Sequence, residues 1–203
     1  MNIQIKELEK KDFSKAIDFA IEGMHFSRYI DNKLILRLYG RYFLYLELER
    51  ATQVFAAYMG NRLVGILMAD IKGESRLYSS FMRKFYVKIA KIIMRAFVQG
   101  GANIYDEANK LMFEEYLKKS NPDGEICFLA ADPTIQGKGI GTLLLKELGK
   151  REKGKLIYLY TDDNCTYQFY EHKGFERAEE KVIKMEIGGK TVPLTCLLFS
   201  KQL

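Results

Sequence analysis

The spacing of apolar side chains changes several times along the first seventy residues, and each change predicts a new element. Alternation of apolar and polar residues at 3–8 predicts a short strand, and helical spacing follows at 12–24 and again at 34–50. Two β-rich runs then fill residues 52–71 and meet at Gly60-Asn61, a pair that favours a tight hairpin turn. This part of the chain therefore predicts a strand, two helices and a hairpin.

Helices and strands alternate through the rest of the chain. Residues 74 to about 120 have mainly helical spacing, with a break at Gly100-Gly101. The later elements are a strand at 124–131, a helix at 139–152, a strand at 155–163, a short helix at 164–175, and strands at 181–187 and 191–199 that turn at Gly188-Gly189. We therefore expect a mixed α/β fold around one sheet, with residues 1–203 forming a single domain.

Composition narrows the class of protein. A chain of 203 residues with 48% hydrophobic composition can bury a sizeable core. Three cysteines lie far apart without the paired spacing of a disulfide framework or a zinc site, so we expect no metal and a reducing, cytoplasmic location. The N-terminus lacks a secretion signal, and Lys88, Lys91 and Arg95 interrupt the apolar stretch near 85–98, so we expect no membrane span.

The formal net charge of +6 permits an anionic partner, and a phosphate-rich cofactor would suit it as well as nucleic acid. Lysines alternate with acidic residues over most of the chain, and no RNP, helix-turn-helix or zinc pattern is present. We therefore expect no nucleic-acid partner.

Three glycines at alternate positions, 137, 139 and 141, separate the strand at 124–131 from the leucine-rich helix. A strand, a tight glycine turn and a helix together direct free backbone N–H groups and the positive end of a helix dipole at an anion. The spacing is not the dinucleotide fingerprint, because Leu144 stands where its third glycine belongs. The glycines either hold a phosphate or simply shape the turn.

Two motifs in this region resemble those of the GCN5-related N-acetyltransferase (GNAT) superfamily. The run from Gln136 to Gly141 is similar to its (Q/R)xxGx(G/A) acyl-CoA signature, and Asn164 precedes Tyr170 by six residues in a segment ending YExxGF. The resemblance covers 1–71 and 122–200 in element order. It implies the GNAT acyl-CoA N-acyltransferase fold, acetyl-CoA as cofactor, and transfer of an acetyl group to a small-molecule or peptide primary amine.

The resemblance also implies which residues bind the cofactor. The residues expected to hold the pyrophosphate are those of the turn: Gln136, Gly137, Lys138, Gly139, Ile140, Gly141 and Thr142. The backbone of Leu129, Ala130 and Ala131 would pair with the pantetheine arm where two parallel strands splay, and Asn164 would help to hold that arm. Tyr167 departs from the pattern, since many relatives have a small residue there.

Acetyl transfer to an amine needs a base, because an alkylamine with a pKa near 10.4 is almost fully protonated at pH 7. Glu125 lies eleven positions before Gln136, where histone-acetylating members of the superfamily have their glutamate base. Strand alternation predicts that Glu125 shares a sheet face with Cys127, Leu129 and Ala131. Glu125 could act directly or through a water, or be a solvated carboxylate at a strand end.

Tyr170 is the candidate general acid, because a phenol with a pKa near 10 stays protonated at pH 7 and can donate to the leaving thiolate. Its alternative role is core packing with Phe169 and Phe175. Cys165 and His172 are seven residues apart, a rise of about 10 Å on a helix, which is too far to share a proton. Direct transfer in a ternary complex is therefore preferred to a cysteine-bound intermediate.

The sequence defines the residues that contact the acceptor amine less clearly than those that bind the cofactor. In the resembled family the first helices border the acceptor pocket, so His25, Tyr29 and Asp31 are candidate substrate contacts, with surface or core roles as the alternative. Residues 74–120 read as a long helical insertion before the cofactor-binding strand. They could pack on the sheet, cover the acceptor, bind a partner or lie on an anionic membrane surface. C-terminal edge strands could also pair two copies into a homodimer.

Two other functions stay open on the sequence. The chain could be a catalytically silent module that binds acyl-CoA or a protein partner. It could also bind a membrane or nucleic acid through its basic helix, in which Lys84, Lys88, Lys91 and Arg95 form one stripe.

Overall fold

The computed structural model describes residues 3–97, 101–135, 137–187 and 190–203, which form a mixed α/β fold as the sequence predicts. The strands are β1 (Ile3–Lys6), β2 (Gln53–Met59), β3 (Arg62–Ile71), β4 (Gly124–Ala131), β5 (Leu156–Asp162), β6 (Glu176–Ile187) and β7 (Lys190–Gln202). The helices are α1 (Phe13–Gly23), α2 (Lys33–Arg50), α3 (Phe81–Phe97), α4 (Gly101–Leu117), α5 (Ile140–Arg151) and α6 (Gln168–His172).

The strands join in one sheet, in the order β1-β2-β3-β4-β5-β7-β6. Neighbouring strands are antiparallel except β4 and β5, which run parallel and are connected through α5. The predicted hairpin is confirmed: Met59 pairs with Arg62, and Gly60 has the positive φ of 61° that such a turn requires. The parallel pair is therefore at the centre of the sheet.

Helices cover both faces of this sheet. On one face, α1 and α2 bury a cluster that includes Leu44, Leu48 and Phe128, while α4 packs on β6 and β7. On the other face, the leucines of α5 pack on β2, β3 and β4. Gly65 of β3 lets α5 approach closely, because a Cβ there would lie 2.5 Å from the Ile140 side chain. The start of α5 is thus seated directly on the sheet.

Several boundaries differ from the sequence predictions. The helix expected at 164–175 is confined to α6, and Asn164 lies in the turn before it. β6 begins at Glu176 rather than 181, because an edge strand can carry the charged side chains that obscured its apolar pattern. Residues 98–100 and the Gly188-Gly189 turn lie outside the described residues.

α3 and α4 occupy the segment 74–120, in agreement with its helical spacing. That this segment is an insertion relative to the resembled family stays a prediction. Among the residues that the structure covers, no helix has the length and apolar character needed to cross a lipid bilayer.

Candidate active site

β4 and β5 separate soon after they begin, and the gap between them is the centre of the candidate site. Both strands lie wholly within the described residues, and the last position at which they pair is Glu125 with Tyr158. Asp123 closes this end, since its amide donates to the Leu156 carbonyl and its carboxylate accepts from the Leu156 amide, both at 2.7 Å. Farther along, β5 pairs with β7, so one edge of β4 at 129–131 faces the gap. An extended ligand can pair with such an edge.

The glycine turn follows β4 directly and leads into α5. Gly137 and Gly139 have φ angles of 78° and 69°, and a Cβ at either position would meet no atom within 4 Å. Gly139 is the N-cap of α5 and has no side chain to bond the first amides of the helix. Exposed amides and the positive end of a helix dipole therefore face open space, which suits a diphosphate. Gln136 lies outside the described residues.

Gly141 is explained by packing rather than by an open approach for a ligand. A Cβ at this position would lie 3.0 Å from Cζ of the Phe169 ring. The missing side chain lets α6 pack against the first turn of α5. The two sequence motifs, which are separated by β5, are thereby brought together in space.

Asp132 anchors the entry to the glycine turn. Its buried carboxylate accepts hydrogen bonds from the Thr134 amide at 3.0 Å, the Thr134 hydroxyl at 2.7 Å and the Arg62 guanidinium at 2.6 Å, and Lys15 lies 3.7 Å away. Burial alone would raise the pKa of this carboxyl, but the hydrogen bonds and the positive charges outweigh it and lower the pKa to about 2. The turn is therefore tied to β3 and α1 through one ionised group.

A bulge at Cys127 overturns the predicted alternation of β4. Ile126 pairs with Ala69 and Phe128 with Met68, which leaves Cys127 without a partner position on β3. As a result, Leu129 packs with the α5 cluster, whereas Glu125 contacts side chains on the α2 face. The prediction that Glu125 shares a face with Leu129 and Ala131 is wrong, because an extra residue reverses the alternation beyond it.

Glu125 lies at the closed end of the gap, within a network of polar side chains. One of its carboxylate oxygens is 2.5 Å from Nη2 of Arg50 and accepts a hydrogen bond from the Tyr158 hydroxyl at 3.0 Å. Both partners hold the carboxylate in place at this end of the gap. Glu125 is therefore no freely solvated strand-end residue.

Glu47 of α2 is a second acidic residue at this position and was not predicted from the sequence. It is buried, its Oε2 lies 3.3 Å from Nε of Arg50, and that contact lacks the geometry of a hydrogen bond. Burial raises the pKa of this carboxyl to about 7, with Arg50 opposing the shift and Glu125 adding to it. The sequence contained a signal for a buried acidic group, because helical spacing places Glu47 on the same buried stripe of α2 as Gly40 and Leu44.

Tyr170 approaches from the opposite face of the sheet. Its half-buried ring packs edge-on against Phe169 and Phe175, with ring centroids 5.4 and 5.8 Å apart. Burial raises the pKa of the Tyr170 hydroxyl above its usual value, so this group is protonated at neutral pH. Both predicted roles of Tyr170, packing and proton donation, are compatible with this geometry.

The loop between α1 and α2 reaches the open end of the gap. Tyr29 lies beside Asn164, Asp162 and Cys165, and burial followed by the charge of Asp162 raises the pKa of its hydroxyl. Asp162 is buried and accepts hydrogen bonds from the Asn164 amide at 2.9 Å and the Tyr105 hydroxyl at 3.3 Å. Tyr29 and Asn164 are thus brought together, with Asp162 and Tyr105 as neighbours that sequence reasoning missed.

The other two candidate substrate residues are less closely tied to this end. His25 precedes a 3₁₀ turn at Phe26–Arg28 and has a φ of 52°, a left-handed conformation that is unusual for a residue with a side chain. Asp31 is exposed just before α2. Both lie in the same loop as Tyr29.

Solved structures with the same fold are numerous. The Drosophila melanogaster polyamine N-acetyltransferase, which forms N-acetylagmatine, has a TM-score of 0.61 and 12% identity, with all of both chains covered. NAA60 from Arabidopsis thaliana, solved with a bisubstrate analogue, has a TM-score of 0.59 and 15% identity over 99% of this chain and 98% of its own. The PaiA N-acetyltransferase of Thermoplasma acidophilum, solved with coenzyme A, has a TM-score of 0.54 and 17% identity over all of both chains. At these identities the likeness shows the fold.

Family membership rests on a different comparison. No curated protein matches the sequence. The family model described as "Acetyltransferase (GNAT) domain" matches residues 50–177, more than half of the chain. The predicted class of enzyme and the predicted cofactor, acetyl-CoA, are those of this family. The glycine turn, the splayed strands and the family match together show that the chain belongs to the GNAT family of acetyltransferases.

Proposed function

We propose that this protein transfers an acetyl group from acetyl-CoA to a primary amine by direct attack in a ternary complex. The observation that carries the proposal is the uncapped start of α5, which opens beside the free edge of β4. A diphosphate bound at the start of α5 would direct the extended pantetheine arm along the edge of β4. When bound, acetyl-CoA supplies an activated thioester carbonyl and a thiolate leaving group.

The residues proposed to hold the cofactor follow the path of this groove. Backbone amides from Gly137 to Thr142 would bind the pyrophosphate, with Lys138 adding a positive charge and Gln136 at the first motif position. The backbone at 129–131 would pair with the pantetheine arm. Asn164, in the turn after β5, would hold the arm from the other side of the gap.

Removal of the amine proton is assigned to the acidic pair on the α2 face. Glu125 is already held by its ion pair with Arg50 and by the hydrogen bond from the Tyr158 hydroxyl, which suits it to orienting the amine or its water. Glu47 shares Arg50 with Glu125 and has a pKa of about 7, close to the value that favours general-base catalysis at neutral pH. We therefore propose that the proton passes through Glu125 or its water to Glu47.

Tyr170 is proposed as the general acid. Its hydroxyl keeps its proton at neutral pH, so it can donate to the sulfur as the carbon–sulfur bond breaks. Because Tyr170 and the acidic pair lie on opposite faces of the sheet, proton removal and proton donation would occur on opposite sides of the gap.

The acceptor is proposed to enter from the end of the gap near Tyr29. Asp162 provides a buried carboxylate there, which accepts a hydrogen bond from the Tyr105 hydroxyl and lies close enough to Tyr29 to raise the pKa of its hydroxyl. A carboxylate beside tyrosine side chains favours a cationic amine. His25 and Asp31 would contact the more distant part of the acceptor.

The test is a screen of primary amines, including polyamines, amino acids and peptides, with acetyl-CoA as donor and release of free thiol as the signal. We expect at least one amine to give saturable thiol release that is proportional to enzyme. If acetyl-CoA raises the melting temperature but no amine releases thiol, the chain is a silent acyl-CoA-binding module. If acetyl-CoA has no effect on melting, the cofactor site itself is contradicted.

A further inference from the structure

α3 has one face that packs on the protein and a larger surface that does not. The packed stripe consists of Arg83, Tyr86 and Ala90. Arg83 forms a salt bridge with Glu49 of α2 at 2.9 Å, the Tyr86 ring lies 5.3 Å from that of Tyr45, and Ala90 is buried. At about 100° per residue these three positions occupy a narrow arc of the helix. Most of the other described side chains of α3 are exposed and available for another contact.

A row of large apolar side chains lies exposed next to this stripe. Its members are between 41% and 81% exposed: Phe81, Met82, Phe85, Ile89, Ile92 and Ile93. Helical spacing puts all six within about a third of the circumference. A shallow groove of about 330 Å³ between α2 and α3 continues this apolar arc at Met82 and Phe85. Contiguous apolar surface of this kind marks an interaction site.

Lysines flank the apolar arc on the side away from α2. Lys84, Lys88 and Lys91 are exposed, and none of them forms a salt bridge within the described part of the chain. No acidic residue occurs between 81 and 97. The exposed surface of α3 therefore combines an apolar arc with an adjacent arc of positive charge.

The lysines and the apolar arc of α3 together indicate which kind of partner this surface fits. Nucleic acid would neutralise the lysines but would leave the apolar arc in water. Packing of a second copy through α3 would cover the apolar arc but would bring two lysine arcs together. An anionic lipid surface satisfies both, since phenyl and aliphatic groups insert at the acyl boundary while ammonium groups meet the headgroups.

We infer that α3 is an interfacial helix that docks the protein on anionic lipid bilayers. The apolar arc lies in the boundary between headgroups and acyl chains, and Lys84, Lys88 and Lys91 lie among the headgroups. This docking is separate from the acetyl-transfer chemistry, because the packing of α3 is mainly on α2. Its consequence is to hold the enzyme where an amine at or near the membrane is the acceptor.

The experiment measures sedimentation of the full chain with vesicles of phosphatidylcholine that contain phosphatidylserine, and with vesicles of phosphatidylcholine alone. We expect binding to the anionic vesicles that weakens as salt is raised, and little binding to the neutral ones. Equal binding to both, or binding to neither, overturns the inference.

Two triple variants separate the contributions of charge and apolar surface. Lys84→Gln/Lys88→Gln/Lys91→Gln is expected to lower the partition coefficient about a hundredfold. Phe81→Ser/Phe85→Ser/Ile92→Ser is expected to lower it by at least as much. If only the lysine variant loses binding, the surface is a general polyanion site, and the inference is wrong.

Matched controls alter the same number of exposed side chains elsewhere. They are Lys110→Gln/Lys118→Gln/Lys184→Gln and Leu111→Ser/Leu117→Ser/Val182→Ser, and both are expected to keep full vesicle binding. All four variants are expected to keep the acetyl-CoA-dependent rise in melting temperature, which shows that they fold. Sedimentation velocity provides the last check. If the wild type forms a dimer but does not bind vesicles, and the serine variant on α3 abolishes that dimer, the partner of α3 is a second copy of the chain.

Discussion

The two sides of the β4–β5 gap are built from different parts of the sequence. On the α5 side, the glycine turn, Asp132 and α6 come from segments that lie close together in the chain. On the α2 side, Glu47, Arg50, Glu125 and Tyr158 come from three distant elements. The first side could be recognised as a motif, whereas the second exists only because helix and strands fold against one another. The side encoded by a local motif is the one proposed to bind the cofactor, and the side assembled by folding is the one proposed to remove the amine proton.

The largest effect is expected for Tyr170→Phe, which removes only the proposed acid. We expect kcat to fall by roughly 10²–10⁴-fold, because proton transfer by a positioned side chain contributes about that much. The dissociation constant of acetyl-CoA should stay within about twofold, since the ring and its packing are kept. Steady-state kinetics and calorimetric binding measure the two quantities.

Tyr86→Phe is the matched control for this change, because its hydroxyl donates to the Leu38 carbonyl at 3.4 Å, away from the gap. Its turnover should equal that of the wild type. Wild-type turnover in Tyr170→Phe would exclude the acid role and leave packing as the function of this ring.

A second change tests the cofactor side alone. Gly139→Val places a branched side chain at a φ of 69°, in the space where the diphosphate would bind. We expect the dissociation constant of acetyl-CoA to rise about a hundredfold, as estimated from the loss of several charge-assisted hydrogen bonds. Calorimetry and the shift in melting temperature report the loss.

Gly73→Val provides the control, since Gly73 has a φ of 82° and equally open surroundings at the far end of β3. Both variants should lose similar stability, but Gly73→Val should bind acetyl-CoA normally. Equal affinity in the two variants would show that the turn does not hold the cofactor.

The third change addresses the α2 side. If Glu47 accepts the amine proton, kcat/KM of the wild type should fall as pH drops below about 7, because Glu47 then carries a proton already. In Glu47→Gln this acidic limb should disappear, and the plateau should be lower by roughly tenfold.

Glu49→Gln is matched to this variant, because Glu49 is also buried on α2 but pairs with Arg83 on the side of α3. It should keep the wild-type pH profile. An unchanged acidic limb in Glu47→Gln would contradict the assignment of the base and return that role to Glu125 or a water.

The smallest effect on catalysis is expected for Asp132→Asn, which alters the anchor of the turn. The pKa of Asp132 is lower in the folded protein, about 2 against 3.8, so its contribution to stability is present above pH 4 and is lost as pH falls toward 2. We expect the free energy of unfolding to be about 2 kcal/mol lower at pH 7 and unchanged near pH 2.

Urea denaturation at both pH values measures this difference. Arg62→Gln removes the partner of the same ion pair and should show the same dependence on pH, while the double variant should add little to either. A loss of stability that is equal at pH 7 and pH 2 would show that ionisation of Asp132 is not its cause.

Much of the fold was predictable because apolar spacing reports which face of each element is buried. The hairpin at Gly60, the helices α1, α2 and α5, and the strand–turn–helix unit around the cofactor motif all agree with the spacing. The GNAT resemblance rested on two local motifs and is confirmed by the family match. That residues 74–120 are an insertion stays a prediction.

Other features depended on contacts that spacing does not report. The bulge at Cys127 comes from the register with β3, and it reversed the side of the sheet to which Leu129 points. Gly141 was interpreted as part of the phosphate turn, but its contact is the Phe169 ring. Glu47 was overlooked because a glutamate near a helix end is ordinary until the helix is seen packed over β4.

The sequence by itself determined the elements, the glycine turn and the family, because these depend on side-chain periodicity and backbone freedom within short segments. Only the tertiary structure decided which acidic groups meet at the gap, which face Glu125 occupies and which side of α3 is left uncovered. The physical reason is that the pKa and the exposure of a side chain are set by neighbours distant in the chain, and local sequence contains no record of those neighbours.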